Sequence, residues 1–347
     1  MRRLPIYFLI DVSESMVGEP IEQVQNGIRN IIQELRMDPY ALETVFVSVI
    51  AFAGKAKSLS PLTELYKFYP PAFTIGGGTS LGTAMEFLMN DIDRSVQKTT
   101  LEAKGDWKPI IFLFTDGTPT DKPENAFKKW NANYRRSCNL IAISIGDNVN
   151  TQLLGTVTEN VLRLKDTDEH SFKAFFKWIT ASIKTSSVSV SEYSNDEIKL
   201  APMDGINLEK VDTGKQCFVD ENFAVIPGKC QTTKKMYLMK YAKRLKPFEG
   251  LEQFNVADFK LVGAYPVDEE KYKELSENTY TNKNIRTSEL VGQPTCPCCG
   301  NQYGFVVCEC GNVFCVGEER RNRCPWCGLE GELTFAEGGM DVNRTRG

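Results

Sequence analysis

The 347-residue sequence contains one histidine, His170. A metal centre built from several imidazoles is therefore excluded, and any Ser-His-Asp arrangement would have to use that single residue. Long apolar runs are missing too: nothing approaches the roughly 18 residues that a spanning helix needs. The N-terminal run Leu4–Ile10 ends at Asp11 with no small-residue cleavage site after it, so no export signal is read. Neither a GxxxxGK[ST] loop nor a GxGxxG fingerprint occurs, which removes the common nucleotide cradles. Positive charge is not in excess either. With 41 Lys+Arg against 45 Asp+Glu, the net charge of −4 offers no whole-chain attraction to nucleic acid or an acidic membrane. What remains, at 41% hydrophobic and 25% charged residues, is a folded chain of two or three domains.

Cysteine is what the sequence has in quantity. Of eleven, eight lie between Cys296 and Cys327, while Cys138, Cys217 and Cys230 are scattered. Dense cysteines without an export signal imply a cytoplasmic protein whose reduced thiols bind metal rather than pair.

The first half alternates between two patterns. Continuous apolar runs at Ile6–Ile10, Val45–Phe52, Pro109–Phe114 and Leu140–Ile145 fit strands buried on both faces of a parallel sheet. Helical periodicity separates them at Pro20–Leu35, Leu81–Val96, Glu124–Arg135 and Ser171–Ile183. Strands alternating with helices imply an α/β domain, a doubly wound, mostly parallel sheet over residues 1–185. The Ser-rich stretch 186–197 reads as a linker. A small β-rich zinc-binding domain is expected over 198–335, with strands near Gln216–Phe218, Phe223–Ile226, Lys235–Tyr241 and Phe259–Ala264, and a helix near Asp268–Leu275. Residues 336–347 read as a flexible tail.

Ligands of open α/β sheets sit at the carboxyl ends of the strands. Three loops so placed carry oxygen atoms: Asp11-Val-Ser13-Glu-Ser15 after the first strand, Gly76-Gly-Gly-Thr79 before the second helix, and Thr115-Asp116-Gly117 after the third apolar run. Alternate residues of an extended turn point the same way, so Asp11, Ser13 and Ser15 can converge. Two carboxylates (Asp11, Asp116) and three hydroxyls (Ser13, Ser15, Thr79), with no imidazole, suit Mg²⁺ or Mn²⁺. A remaining coordination position could take an acidic group from a partner. Glu14 and Asp121 read as solvated surface carboxylates. A helix N-cap is the plain structural role for DxSxS taken alone. Catalysis is not expected: phosphohydrolases with an aspartyl nucleophile need a second acid where Ser13 stands, and no general base is evident.

These residues resemble the von Willebrand factor A domain, whose metal-ion-dependent adhesion site (MIDAS) uses DxSxS, a threonine in a Gly-rich loop and TDG in this chain order. All five positions match. The resemblance implies direct metal bonds from the hydroxyls of Ser13, Ser15 and Thr79, with Asp11 and Asp116 often acting through water.

Cys296-Pro-Cys298-Cys299-Gly and Cys324-Pro-Trp-Cys327-Gly have the form of zinc knuckles, with Cys308-Glu-Cys310-Gly and Cys315 between them. Pairing stays open. One ribbon could use Cys296, Cys299, Cys324 and Cys327; alternatively Cys296, Cys299, Cys308 and Cys310 hold one Zn²⁺ while Cys315, Cys324 and Cys327 contribute to a second. Cys298 is the least secure member. Cys217 and Cys230 could form another pair, but read first as inert core thiols, as does Cys138, and His170 reads as a cap or surface residue. Arg320, Arg321 and Arg323 form a short basic run, but Glu309, Glu318, Glu319 and Glu330 surround it. A RING ubiquitin ligase would need a histidine in this segment.

The tandem resembles the TerY-type proteins of bacterial tellurite-resistance and stress-response systems, YGFVVCECGNVFCV with CPWCG being its most specific stretch. That resemblance implies a non-catalytic scaffold working with a Ser/Thr kinase and a PP2C-type phosphatase. The alternative is a subunit of a nucleic-acid-associated transcription or repair assembly, to which an A domain with a zinc ribbon is also similar. A metal-dependent phosphohydrolase and a RING-like ligase stand behind both.

Overall fold

The computed structural model describes residues 2–100, 104–116, 118–145, 151–164, 169–192, 201, 208–210, 223–248, 251–276, 283–317, 319, 321–332 and 339–345. Two compact units emerge. The first comprises Met1–Val12, Glu19–Phe73 and Thr79–Val219; the second comprises Asp220–Gly347 together with the short segments Ser13–Gly18 and Thr74–Gly78.

In the first unit the elements are β1 (Leu4–Asp11), α1 (Glu19–Arg36), α2 (Pro39–Thr44), β2 (Val45–Phe52), β3 (Ala56–Glu64), α3 (Leu81–Ser95), β4 (Ile110–Thr115), α4 (Glu124–Asn133), β5 (Asn139–Ile145), α5 (Thr151–Gly155), β6 (Asn160–Leu164), α6 (Glu169–Glu192) and β7 (Leu208–Lys210). They build one sheet in the order β3-β2-β1-β4-β5-β6-β7. The five inner strands run parallel, and β3 and β7 close the edges antiparallel. Every residue of β1 and β4 is buried, as expected of strands covered on both faces. Tyr7, Leu9, Ile111 and Leu113 meet α3 and α4 through Leu88, Met89, Phe127 and Trp130. On the opposite face Phe8 stacks on Phe112 and lies tilted against Phe114, and Phe114 meets Phe175 and Phe176 of α6 at 6.0 Å. Helices on both faces make this the expected doubly wound α/β architecture.

One boundary differs from the sequence reading. The stretch read as a linker from residue 186 continues α6 to Glu192. Where it begins, the hydroxyls bond back to carbonyls one turn earlier, Thr185 to Ala181 and Ser186 to Ser182, each at 2.8 Å. Ser182 also accepts from the Ala201 amide at 3.1 Å, and Ser182 and Ser186 are buried. Residues 193–197 lie outside the described residues. The first sheet also recruits β7, beyond the expected domain start at 198.

The second unit contains β8 (Phe223–Lys229), β9 (Met236–Phe248), β10 (Leu251–Val267), α7 (Glu269–Leu275), β11 (Lys283–Arg286), β12 (Leu290–Val291), β13 (Tyr303–Val307), β14 (Val313–Val316), β15 (Arg321–Arg323), β16 (Glu330–Glu332) and β17 (Asp341–Arg344). Six form a sheet in the order β12-β10-β9-β8-β14-β13; β11 pairs with β17 and β15 with β16. The expected helix is present, with Asp268 capping the Glu270 and Lys271 amides. The tail expected from 336 is not frayed over its described part. β17 pairs antiparallel with β11, Val342 is fully buried, and the Thr345 amide donates to the Val225 carbonyl at 2.9 Å. The expected strand at Gln216–Phe218 lies outside the described residues.

Candidate metal centres

The oxygen-bearing loops follow from strand order. β1 and β4 are parallel neighbours, with Ile10 opposite Phe114, so both strands deliver their carboxyl ends to one edge. There Thr115 Oγ1 donates to Asp11 Oδ2 at 2.7 Å, and Asp116 follows, buried. The Gly-rich loop is drawn to the same edge by the Ser80 amide, which donates to the Ala53 carbonyl just beyond β2 at 2.7 Å. Thr79 is fixed by its backbone: its amide donates to Thr120 Oγ1 at 2.9 Å, and its carbonyl accepts from the Thr120 amide at 2.8 Å. Its hydroxyl, however, is buried without a hydrogen-bond partner. A buried orphan hydroxyl costs about 1–3 kcal/mol, and a cation would remove that cost. Ser13 and Ser15, two residues apart on the DxSxS turn, bring their Oγ atoms to 3.0 Å. All five expected oxygen ligands are thus buried, and the orphan hydroxyl is the observation that fits a hard divalent ion.

Two carboxylates read as solvated surface groups are both engaged by backbone amides, and the first is also buried. Glu14 is 1% exposed and accepts from the Gly78 amide at 2.9 Å. Asp121 caps α3, accepting from the Gly82 and Thr83 amides at 3.2 and 3.0 Å. The Gly117 of the TDG run lies outside the described residues.

The cysteines resolve into two groups of four, in neither of the pairings the sequence left open. Cys230, Cys296, Cys299 and Cys315 form one; Cys308, Cys310, Cys324 and Cys327 form the other, with all sulfurs of a group within 4.8 Å of one another. Within the groups, Cys299–Cys315 are 3.7 Å apart, Cys308–Cys327 3.6 Å and Cys310–Cys324 4.0 Å. A tetrahedral zinc with Zn–S near 2.3 Å requires sulfurs about 3.8 Å apart, whereas a disulfide requires about 2.05 Å. Both groups have zinc-like spacing.

Sheet pairing explains the sorting. The β13–β14 hairpin returns Cys315 toward the first knuckle, and β14 lies parallel to β8 with Phe314 opposite Lys229. The next residues along these two strands are Cys315 and Cys230. The reading of Cys230 as an inert thiol is therefore corrected: sequence distance hid the fourth cysteine of this group.

The local backbone geometry marks it in the structure, although the sequence does not. In four turns a closing amide returns to the carbonyl of the leading cysteine, four residues back for Lys234 to Cys230 (3.0 Å), Gly300 to Cys296 (2.9 Å) and Gly328 to Cys324 (2.9 Å), and three back for Gly311 to Cys308 (2.8 Å). Each closing residue is left-handed, with φ of 60°, 78°, 78° and 79°. Lys234 is the sole non-glycine with positive φ among the described residues, so Cys230-Gln-Thr-Thr-Lys234 is a knuckle without its second cysteine.

Amides orient the sulfurs as they would thiolates. The Thr233 amide donates to Cys230 at 3.2 Å and the Gln231 amide to Cys315 at 3.3 Å. Burial opposes ionisation of Cys230, but the bonds from Thr233 outweigh it and hold that thiol below its ordinary range. Cys310 is lowered likewise, burial being outweighed by the backbone and side chain of Asn312. Cys298 stands outside both groups, and burial raises its thiol. Cys138, as expected, is a buried core thiol, pushed up to about 11 by burial. Cys217 and the side chain of His170 lie outside the described residues. The basic run is countered locally: Arg321 and Arg323 face Glu332 and Glu330 across the β15–β16 ribbon.

Comparison with known proteins agrees with this division. The von Willebrand factor type A domain model matches residues 6–177, and the TerY-C metal binding domain model matches residues 220–347. Among curated proteins, mouse inter alpha-trypsin inhibitor heavy chain 4 is 33% identical over 124 residues, covering 33% of this chain and 12% of its own. The bovine inter-alpha-trypsin inhibitor heavy chain H1 is 25% identical over 118 residues, covering 33% and 13%. The aligned part is thus about an eighth of the length of these relatives. Among solved structures, a von Willebrand factor type A protein from Catenulispora acidiphila aligns with TM-score 0.41 at 15% identity, covering 53% of this chain and 43% of its own. Proximal thread matrix protein 1 from the mussel byssus, with a zinc occupied MIDAS motif, aligns with TM-score 0.37 at 18% identity, covering 52% and 46%. Scores this low carry no argument beyond the fold already seen.

Proposed function

We propose that this chain, which joins a von Willebrand factor type A domain to a TerY-C metal binding domain in the TerY-type architecture, is a non-catalytic, metal-dependent scaffold for protein interactions. In this reading Mg²⁺ or Mn²⁺ binds at Asp11, Ser13, Ser15, Thr79 and Asp116 and presents an open position to an acidic group of a partner. The carrying observation is the buried, partnerless Thr79 hydroxyl among buried carboxylates and hydroxyls. A tightly held Zn²⁺ in each four-cysteine group would staple the second unit.

Two further features support a binding role. The acidic side chains nearest the site in sequence, Glu14 and Asp121, accept backbone amides rather than standing ready as bases. The arginines that could have met phosphates face glutamates. Among the described residues no helix is long and apolar enough to cross a membrane. The resemblance to TerY-type proteins extends the proposal to a cytoplasmic stress-response or tellurite-resistance system, with a Ser/Thr kinase and a PP2C-type phosphatase as partners.

The test is affinity purification of the tagged full chain with Mg²⁺ or with EDTA, read by mass spectrometry, beside a folded Asp11→Ala variant. Partners retained with Mg²⁺ and lost in both other arms are expected. Retention in all three would refute the metal-bridged mechanism.

A further inference from the structure

Between the two serines of the DxSxS turn stands Glu14, whose buried carboxylate is engaged at both oxygens. Oε2 accepts from the Gly78 amide at 2.9 Å, and Oε1 accepts from the Tyr272 hydroxyl at 2.5 Å. Tyr272 lies on α7, and Ser276, at the C-cap of that helix, accepts from the Gly77 amide at 2.7 Å. Ser276 is itself oriented, its hydroxyl donating to the Tyr272 carbonyl at 2.6 Å. One short helix therefore holds both segments: 13–18, which carries Ser13 and Ser15, and 74–78, which leads into Thr79.

The packing around Gly77 shows how tightly these groups converge. A Cβ there would meet Glu14 Oε1 at 2.9 Å and the hydroxyl oxygens of Ser276 and Tyr272 at 3.0 Å. The serine turn is gripped again at its far end. Lys240 Nζ donates to the Ser15 carbonyl, and the Tyr265 ring fills the space beside Gly18, whose φ is +86°. All these residues belong to the second compact unit, including both short segments drawn from the first half of the chain. The hydroxyl-bearing segments are thus shaped by residues near position 270, about 200 residues along the chain from the glycines they hold.

We propose that Tyr272 and Ser276 are positioning residues for the oxygen-rich metal site, acting through Glu14 and Gly77 to fix the two segments before the ion arrives. This rests on the reading of that site as a divalent-cation centre. A preordered turn spares the ion the cost of ordering it, so affinity depends on these hydrogen bonds although neither residue touches the metal. Linkage makes the effect reciprocal: a bound ion strengthens the hold of α7 on both segments.

The experiment titrates Mn²⁺ into the full-length, zinc-loaded protein, following free Mn²⁺ by electron paramagnetic resonance and amide exchange across 13–18 and 74–78. Tyr272→Phe, which removes only the hydroxyl, is expected to weaken Mn²⁺ binding about tenfold (about 1.4 kcal/mol) and speed exchange in both segments, with zinc content unchanged. Ser276→Ala should speed exchange at 74–78 and weaken Mn²⁺ binding in the same direction. Glu14→Gln, which keeps an acceptor for the Gly78 amide and gains a donor toward Tyr272, should keep affinity within about threefold of wild type. Wild-type affinity in a folded Tyr272→Phe protein overturns the positioning role and leaves the metal site standing. Glu14→Gln losing Mn²⁺ as completely as Asp11→Ala also overturns it, by making Glu14 a ligand. Wild-type protein that binds no Mn²⁺, or Asp11→Ala that binds it normally, overturns the metal site and the positioning role together.

Discussion

Cys230→Ser separates a zinc ligand from a bystander thiol. The replacement nearly preserves shape and keeps an oxygen that can accept from the Thr233 amide, now 3.2 Å from the sulfur. Were Cys230 merely a core residue, the loss would be about 1 kcal/mol, the net worth of a weakened hydrogen bond. As one of four thiolates it carries far more. Structural zinc in small cysteine-rich modules binds with about 10–16 kcal/mol, so an equal share is about 2.5–4 kcal/mol, or roughly two to three powers of ten in affinity. The two four-cysteine groups predict two zinc ions per chain in the wild type and one in the variant after passage over a competing chelator. The retained ion should leave at the wild-type rate, and thermal melting should fall steeply only when chelator is present. Cys308→Ser is the matched arm. It should lose the other ion and alter the fluorescence of Trp326, whose indole nitrogen donates to the Val313 carbonyl at 2.8 Å beside that group. Two zinc ions in Cys230→Ser, with unchanged resistance to chelator, would refute the four-thiolate assignment.

Two other perturbations probe packing and backbone. In Gly27→Ala, the new methyl would meet the Phe176 ring at 2.1 Å where α1 packs on α6, so a loss of about 1–3 kcal/mol is expected in urea unfolding, with zinc content intact. At Lys234 (φ 60°), Lys234→Gly should be neutral or slightly stabilising, whereas Lys234→Val should cost about 1–2 kcal/mol and speed zinc release from the Cys230 group.

Most of the first unit was legible because buried parallel strands write themselves as unbroken apolar runs. Val45–Phe52 has the bounds read from its pattern. The half-exposed edge strand β3 carries no such run and was not read. Hydroxyl-rich residues after 185 looked like a break, yet α6 continues to Glu192, and the buried Ser186 hydroxyl bonds back to the Ser182 carbonyl. At the oxygen site the ligand types were readable from DxSxS, GGGT and TDG. The engagement of Glu14 was not, since its partners Gly78 and Tyr272 lie 64 and 258 residues away. Among the cysteines, spacing identified the knuckles but could not pair them, because pairing depends on β14 lying parallel to β8. A lysine in place of the closing glycine concealed the knuckle at Cys230.

That parallel pairing also sets a timetable for synthesis. Gln231, next to Cys230, meets Cys315 across 84 residues of chain. At about 5–20 residues per second, a ribosome needs roughly 4–17 s to make that interval. For most of it the Cys230 thiol has none of its three sulfur neighbours, since Cys296 and Cys299 are made late in the interval and Cys315 last. If each group takes a zinc ion as proposed, the first cannot be completed until Cys315 is made and the second until Cys327 is made, so the second unit would lock late and almost at once. A nascent chain stalled within that window would present reactive thiols to solvent, and the free zinc of the cell at that moment would decide whether the finished protein matures or is discarded.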